Sequence, residues 1–376
     1  MNIALLGFGT VGRGVDAIIR DSVKDVQVTR ILELPDRLTD PRMTASFDEI
    51  VADPAIDLVV ECMGGLEPAH TFICAALDAG KAVVTSNKAV VAAHFAEFVE
   101  KANAAGVPFL IEASVGGGIP WIASIAKVRR IDEVTSFSGI MNGTTNYIIY
   151  AMREEGAEFD AVLAKAQELG YAERDPSADI DGIDVANKTI ITASVAFDVA
   201  CTRSLPVSGI RNLTKADLEV FAAHGRTVKL LGRGVCEDGR YAVSVEPVAV
   251  PLPSLEANVP TNFNLVTLDA TTVGELKFYG QGAGMLPTGN AIVQDILDAA
   301  AGTRPVYDFS GSHEYAPELI SGDYVFRCAV APADSEPWDE GMWLVSGVTA
   351  EAARAFLDEA LSTDPTAFMA ALPQED

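Results

Sequence analysis

Residues 2–12 read NIALLGFGTVG, and this stretch decides the fold of the first third of the chain. An apolar run leads into Gly7, Gly9 and Gly12, and a helical pattern follows to about residue 20. A GxGxxG motif alone is common by chance, but a strand before it and a helix after it are typical of dinucleotide binding. The first glycine permits a tight turn, the second lets the backbone approach a pyrophosphate, and the third lets the helix pack on the strand. The helix amides then face the phosphates, so the stretch predicts a Rossmann-type nucleotide site.

A second strand, residues 26–32, ends at Glu33, at the distance of about 20 residues where such folds place an acid for the ribose. An acid there hydrogen-bonds the adenosine ribose of NAD and repels the 2′-phosphate of NADP. The alternative is an ordinary solvated loop acid, and Arg13 and Arg37 lie close enough in sequence to soften the preference. Glu33 therefore favours NAD over NADP.

The alternation of strands and helices continues through residue 111. Apolar runs at 56–61, 81–85 and 108–111 are separated by helical patterns at 67–79 and 89–105. This alternation predicts an α/β fold with a parallel, doubly wound sheet, in which ligands lie at the carboxyl ends of the strands. Small and polar residues concentrate at those ends: Gly7, Glu33, residues 62–65 with Met63 and Gly64, residues 86–88, and residues 112–114.

Lys88 is a single cation just past one of these strand ends. A surface lysine at the start of a helix is disfavoured by the helix dipole. Lys88 is therefore a candidate for contact with a cofactor or substrate.

The periodicity changes after residue 130, where a strand at 131–141 leads into the polar turn Asn142–Tyr147 and a helix at 145–155. The turn is equally well interpreted as residues that cap the helix.

An acid-rich loop at 170–182 then enters a helix running to about residue 199, on which Asp184 and Lys188 stand four apart and share a face. An exposed ion pair of this kind contributes little to stability and indicates no function. In a cleft, the same pair suits acid–base catalysis at a carbonyl group. Glu173 and its neighbouring aspartates suit a substrate ammonium, and both readings remain open here.

Composition bounds the function class. A hydrophobic content of 49% with 21% charged residues is globular, and the net charge of -26 argues against nucleic acid or anionic membranes as partners. We expect no signal peptide and no membrane span, and hence a cytoplasmic protein. The five cysteines lack a CxxC and the four histidines lack an HxxxH or HExxH, so neither disulfides nor a structural zinc site is expected.

Seven ordered segments over about residues 1–300 resemble the homoserine dehydrogenase family. They are GFGTVG at 7–12, VVECMGGLEPA at 59–69, TSNKA at 85–89, EASVGGGIP at 112–120, GIMNGTTNYI at 139–148, GYAERDPSADIDGIDVANK at 170–188 and FYGQGAGMLPTGNAIVQDI at 278–296. Seven blocks in order are far more specific than the glycine motif alone.

The resemblance implies roles for particular residues. Lys188 corresponds to the general acid and base at the substrate oxygen, Lys88 to a second catalytic lysine, Asp184 to a residue that orients and binds, and Glu173 to the ligand of the homoserine amine. Further substrate contacts fall on Asp179, Asn142 and Thr144. Cofactor contacts fall on Gly7, Phe8, Gly9, Thr10, Val11, Gly12, Glu33, Met63, Gly64, Lys88 and Gly282.

The resemblance also implies a monovalent, sodium-like cation. Its ligands would be Glu112 and the carbonyls of Val115, Gly117 and Ile119. The alternative, a close-packed glycine turn without a metal, stays open.

The implied function is the NAD(P)-dependent interconversion of aspartate 4-semialdehyde and homoserine, on the route to threonine and methionine. The implied architecture is a Rossmann-type nucleotide-binding domain (1–129 with 285–305) and an α+β catalytic and dimerisation domain (130–284) that forms a homodimer. Two alternatives remain: another Rossmann-type amino-acid or semialdehyde dehydrogenase, and a non-enzymatic NAD(P)-binding protein. The first could use a nucleophilic cysteine, and Cys62 is the only cysteine that follows a predicted strand end.

Residues 306–376 depart from the resemblance. Many relatives end in a βαββαβ regulatory ACT domain, and residues 324–330 suit its first strand. One further strand (342–347) and one helix (349–361) are too little for the whole unit. We expect a truncated remnant and no threonine feedback through it.

Overall fold

The computed structural model describes residues 1–201, 205–309, 311 and 313–373. The chain divides into two compact units, one comprising residues 1–130, 194–202 and 280–311 and the other residues 131–193, 203–279 and 312–376. Among the described residues, no helix combines the length and apolar character that crossing a membrane requires.

The first part of the chain alternates strands with helices as the apolar runs predict. The elements are β1 (Asn2–Leu6), α1 (Thr10–Ser22), β2 (Gln27–Leu32), β3 (Met43–Thr44), α2 (Phe47–Ala52), β4 (Leu58–Glu61), α3 (Ala69–Asp78), β5 (Ala82–Thr85), α4 (Lys88–Ala105), β6 (Phe109–Leu110) and α5 (Trp121–Val128). The six strands form one parallel sheet in the order β3-β2-β1-β4-β5-β6. This is the strand order of dinucleotide-binding folds, whose ligands lie where the order reverses, between β1 and β4.

The middle of the chain carries most of the second unit. Its elements are β7 (Val134–Ile140), α6 (Gly143–Glu155), α7 (Phe159–Glu168), α8 (Ser177–Ile180), α9 (Ile183–Phe197), α10 (Lys215–Ala223), β8 (Arg226–Glu237), β9 (Arg240–Pro251), β10 (Phe263–Ala270) and β11 (Gly274–Gln281). Strands β8 and β9 form a hairpin around Asp238 and Gly239, and both turn residues have the positive φ that a two-residue hairpin turn requires.

The last part of the chain contains α11 (Met285–Ala300), β12 (Glu314–Tyr315), β13 (Ser321–Arg327), β14 (Glu336–Asp339), β15 (Met342–Thr349), α12 (Ala350–Thr363) and β16 (Phe368–Leu372). Helix α11 belongs to the first unit, where its side chains share a core with β1 and α1. The strands extend the second sheet, whose order is β11-β10-β7-β8-β9-β16-β13-β15-β14. A parallel sheet in one unit and a mixed sheet in the other confirm the predicted fold class.

The C-terminal strands retain part of the βαββαβ plan. Strand β15 lies antiparallel between β13 and β14, and β16 pairs antiparallel with β13, as in a split βαβ unit. Of the two α-helices in that plan, only α12 is present among the described residues of this segment. The first helix is missing because residues 328–335 between β13 and β14 are not helical. The prediction missed β14, a mostly exposed strand containing Pro337, and β16, a five-residue run too short for a clear period.

Candidate active site

The glycine turn between β1 and α1 has the geometry that its sequence predicts. Gly7 has a φ of 96° and donates its amide to the Leu32 carbonyl at 3.0 Å. A Cβ on Gly12 would lie 2.3 Å from the Gly7 carbonyl oxygen, so a larger residue would push α1 away from β1. A Cβ on Gly9 would meet no atom within 4 Å, which leaves the backbone there open to an approaching ligand. Phe8, Thr10 and Val11 flank this opening with half-buried or exposed side chains.

Glu33 is held against the same turn. One carboxylate oxygen accepts the Phe8 amide at 3.2 Å and the other accepts the Leu34 amide at 2.9 Å. Arg13 lies on the other side, where its Nε donates to the Phe8 carbonyl at 3.1 Å. The acid and the cation predicted to bear on the choice between NAD and NADP therefore both hydrogen-bond to the backbone of Phe8.

A buried carboxyl group that the sequence analysis overlooked supports the neighbouring loop. Glu61, at the end of β4, accepts the amides of Met63 at 2.7 Å and Gly64 at 3.2 Å, and the Thr85 hydroxyl at 2.6 Å. Its burial raises its pKa. Glu61 therefore fixes the backbone of Met63 and Gly64. The only feature of the sequence that indicates this role is an acidic residue at the end of an apolar run.

Asn87 and Lys88 begin α4 at the end of the next strand. The Asn87 side chain caps the helix by accepting the Val90 amide at 3.3 Å, and its Nδ2 donates to the Gly65 carbonyl at 2.7 Å. Asn87 thereby ties the start of α4 to the loop after β4. Lys88 is half-buried in the first helical position.

The predicted cation ligands lie around a glycine turn in the first unit. The Glu112 carboxylate accepts the amides of Ile122 at 3.0 Å and Ala123 at 2.7 Å, at the start of α5, and burial raises its pKa to about 7. A Cβ on Gly117 would lie 2.4 Å from the Gly282 carbonyl, so these two predicted site residues are in contact. The carbonyl of Ile119 accepts the Trp121 amide at 2.8 Å. Val115 is fully buried in the same turn.

In the second unit, four predicted residues form one hydrogen-bonded network. Lys188 Nζ donates to Asp184 Oδ2 at 2.8 Å and to the Met141 carbonyl at 2.6 Å. Asn142 Nδ2 donates to Asp184 Oδ2 at 2.9 Å and to Asp179 Oδ1 at 2.6 Å. Lys188 is 7% exposed and Asp184 is 5% exposed, so the two residues are not an ordinary surface ion pair.

Local structure explains why this network forms. The Asn142 amide oxygen caps α6 by accepting the Thr145 amide at 2.8 Å, so its NH2 group must point toward the two carboxylates. Gly232 of β8 lets α9 lie close, because a Cβ there would come within 2.2 Å of the Thr189 hydroxyl. The glycine and the cap together position Lys188, and neither was singled out for this role in the sequence.

The predicted substrate residues Asp179, Thr144 and Glu173 differ in their exposure. Burial raises the pKa of Asp179, and the nearby Asp184 charge raises it further. Thr144 is buried and donates its hydroxyl to the Tyr171 carbonyl at 2.6 Å. Glu173 is exposed, and its backbone carbonyl accepts the Gln167 side-chain amide at 3.0 Å.

Comparisons with known proteins agree on one family. The homoserine dehydrogenase profile matches residues 120–297, and the profile of the homoserine dehydrogenase NAD binding domain matches residues 7–112. A homoserine dehydrogenase of Synechocystis sp. is 38% identical over 357 residues, covering 89% of this chain and 80% of the relative. One from Corynebacterium glutamicum is 39% identical over 321 residues, covering 80% and 72%.

A solved structure is similar over the whole chain. The crystal structure of a homoserine dehydrogenase from Thiobacillus denitrificans superposes with a TM-score of 0.87 at 30% identity, covering 100% of this chain and 98% of that one. These matches favour the homoserine dehydrogenase reading over both alternatives left open by the sequence.

Proposed function

The chain belongs to the homoserine dehydrogenase family, and from this premise we propose that Lys188 is the general acid and base of its reaction. The enzyme is a nicotinamide-dependent oxidoreductase that interconverts aspartate 4-semialdehyde and homoserine. The observation that carries the proposal is the buried contact of Lys188 with Asp184 and the Met141 carbonyl. Two acceptors that fix an ammonium in place suit proton transfer at a defined atom.

The chemistry of each direction places a separate demand on Lys188. The nicotinamide cofactor, when bound, supplies or accepts the hydride. During reduction, negative charge grows on the aldehyde oxygen, and the Lys188 ammonium stabilises that charge and donates a proton to the oxygen. During oxidation, the neutral amine takes the proton from the homoserine hydroxyl. Asp184 orients the amine in both directions, and Lys88 is the second catalytic lysine of the proposal.

We propose that Glu173 binds the substrate ammonium and that Asp179, Asn142 and Thr144 complete the substrate contacts. Asn142 bridges two carboxylates, so its position sets the spacing between Asp179 and Asp184. A bound ammonium would favour the ionised form of Asp179, whose pKa burial otherwise raises.

We further propose NAD as the preferred cofactor. The glycine turn fits a pyrophosphate because Gly9 is open while Gly7 and Gly12 are sterically required. Glu33, held beside the Phe8 amide, would repel a 2′-phosphate. The residues proposed to hold the cofactor are Gly7, Phe8, Gly9, Thr10, Val11, Gly12, Glu33, Met63, Gly64, Lys88 and Gly282.

A sodium-like cation at Glu112 and the carbonyls of Val115, Gly117 and Ile119 is also proposed. The Glu112 carboxylate accepts the Ile122 and Ala123 amides, and a carboxylate offers about four lone-pair sites in all. Oxygen ligands suit a hard monovalent ion, and a cation would hold this buried carboxyl in its charged form.

The setting of the enzyme follows from the same premise. We propose that it supplies homoserine for threonine and methionine synthesis in the cytoplasm, where its five free thiols stay reduced. The second unit is the proposed catalytic and dimerisation domain, so light scattering is expected to give twice the 39.7 kDa mass of the chain.

The test is the formation of reduced nicotinamide, followed by its absorbance, with homoserine and each cofactor in turn. Homoserine-dependent reduction that is lost in Lys188→Ala supports the proposal. Reduction that depends equally on homoserine in wild type and Lys188→Ala contradicts it.

A further inference from the structure

The packing of α3 against α4 gathers metal-ligating side chains that the proposed function does not use. His70 and Cys74 stand four apart on α3, and Glu97 lies on α4. Their ligand atoms all lie within 4.8 Å of one another. No local spacing of residues predicts this cluster, because His70 and Glu97 are brought together only by the contact of the two helices.

Two of the three distances between these atoms match the edges of a tetrahedral metal coordination shell. Zinc bonds of 2.0–2.3 Å in a tetrahedron place ligand atoms about 3.3–3.6 Å apart. His70 Nε2 lies 3.6 Å from Cys74 Sγ and 2.9 Å from Glu97 Oε2, and Cys74 Sγ lies 3.5 Å from Glu97 Oε1. The two distances to sulfur lie within this range, and the His70–Glu97 distance, which is that of a hydrogen bond, would lengthen on metal binding.

A fourth donor lies beside these three. His94 Nδ1 is 3.5 Å from Glu97 Oε2, and the rings of His94 and His70 lie 4.0 Å apart between centroids. His94 has non-helical backbone angles (φ -134°, ψ 18°) that kink α4 at this residue. The nitrogen, sulfur and oxygen donors thus come from two residues on each helix.

The cluster also contains the outer support typical of a metal-bound histidine. His70 Nδ1 lies 3.2 Å from Glu67 Oε1, and Glu67 Oε2 accepts the Thr71 hydroxyl at 2.8 Å. A carboxylate that accepts the Nδ1 proton leaves the Nε2 lone pair for a metal. Nε2 is the nitrogen that faces Cys74 and Glu97.

We propose that His70 Nε2, Cys74 Sγ and the Glu97 carboxylate bind a divalent cation of the zinc class, with His94 Nδ1 in the fourth position. The thiolate and the carboxylate together balance the charge of the ion. Thiolate and imidazole donors select zinc or cobalt over magnesium and calcium. Burial raises the pKa of Cys74 to about 11, so binding releases the thiol proton to solvent.

The ion would cross-link α3 to α4. These are the helices that follow β4 and β5, and their preceding loops carry Gly64 and Asn87. Metal binding to the folded state alone would therefore raise the thermal stability of this helix pair.

The experiment is a titration of the full chain with Co²⁺ after treatment with a chelator. We expect one equivalent to bind, with thiolate-to-cobalt charge-transfer absorption and the visible bands of tetrahedral cobalt, and Zn²⁺ to remove both. Cys74→Ser should abolish the charge-transfer band. His70→Ala should weaken binding at least about a hundredfold, and Glu67→Ala about tenfold, the range seen for outer-shell partners. Cys236→Ser and His224→Ala are the matched controls and should bind as wild type does.

A second measurement separates lost binding from lost folding. The melting temperature without metal should be similar in wild type and Cys74→Ser, and Zn²⁺ should raise it only in wild type and the two controls. Absence of the charge-transfer band in wild type, or its persistence in Cys74→Ser, would show that the cluster is an ion-pair network only.

Discussion

Lys188 Nζ lies 2.8 Å from Asp184 Oδ2, and both side chains are less than a tenth exposed. At the surface such a pair would contribute well under 1 kcal/mol and carry no functional meaning. Here Asp184 also accepts from Asn142, which in turn caps α6. Buried ion pairs are weak stabilisers, so stability alone does not explain why the side chains of this network are polar. The network instead holds the Lys188 ammonium in a fixed position.

Lys188→Ala is expected to lower kcat by at least about 10²-fold with nearly unchanged cofactor affinity, because it removes proton transfer but not cofactor contacts. Steady-state kinetics with homoserine and cofactor titration by fluorescence measure the two effects. Lys165→Ala, which removes an exposed lysine of α7, is the control and should behave as wild type. Near wild-type turnover in Lys188→Ala would overturn the assignment.

Glu173→Ala is expected mainly to raise the KM for homoserine, about tenfold or more, because the substrate ammonium loses its counter-charge while the acid–base group is intact. The matched control is Glu168→Ala, an exposed acid at the end of α7. An unchanged KM together with lost turnover contradicts a role in amine binding.

Glu33→Ala is expected to shift the ratio of kcat/KM values toward NADP by about tenfold, which corresponds to about 1.4 kcal/mol. The reason is loss of both the ribose hydrogen bond and the repulsion of the 2′-phosphate. Asp48→Ala removes another exposed acid of the first unit and should leave the ratio unchanged. A wild-type enzyme that prefers NADP tenfold refutes the NAD assignment at once.

The parallel sheet could be predicted because each of its longer strands is an apolar run followed by turn residues. Gly7, Glu33 and Lys88 all mark strand ends, and the sheet places them at one edge. Strand β10 was missed because it pairs with β7, which is distant in sequence, and nonlocal pairing leaves little local signal. Strand β11 pairs with β10 across a short turn and was missed because it is half exposed without a clear apolar period.

The candidate site was predictable in its charged residues but not in its supports. Asp184 and Lys188 follow from helical spacing, whereas the Met141 carbonyl acts through its backbone and leaves no side-chain signal. Glu61 was hidden within a strand whose other residues are apolar. The cluster of His70 and Glu97 depends on how α3 packs against α4, which residue spacing within either helix does not encode.

Glu112→Gln is expected to weaken the dependence of activity on sodium. Wild-type turnover should rise when choline chloride is replaced by sodium chloride at constant ionic strength, because the proposed cation would fix the turn at residues 115–119. Glu100→Gln, an exposed acid of α4, is the control and should respond as wild type. A wild-type enzyme indifferent to sodium, or an unaltered response in Glu112→Gln, removes the cation from the proposal.

Lys229 gives a prediction for stability against pH. It is 1% exposed, and its Nζ donates to Asn146 Oδ1 at 2.7 Å and to the Val259 carbonyl at 3.2 Å, both uncharged. Burial lowers its pKa from 10.5 to about 7 in the folded chain. Between these two values the unfolded chain binds the proton more strongly, so this residue makes the free energy of unfolding rise with pH.

Lys229→Met should remove this contribution, so that the slope of unfolding free energy against pH becomes less positive between about pH 7 and 10. Urea unfolding at several pH values measures the slope, and the comparison uses slopes because the variant also leaves Asn146 Oδ1 without its donor. Lys215→Met, at the half-exposed start of α10, is the control and should keep the wild-type slope. Equal slopes in wild type and Lys229→Met would mean that Lys229 stays charged in the folded chain, held by its two dipolar acceptors alone.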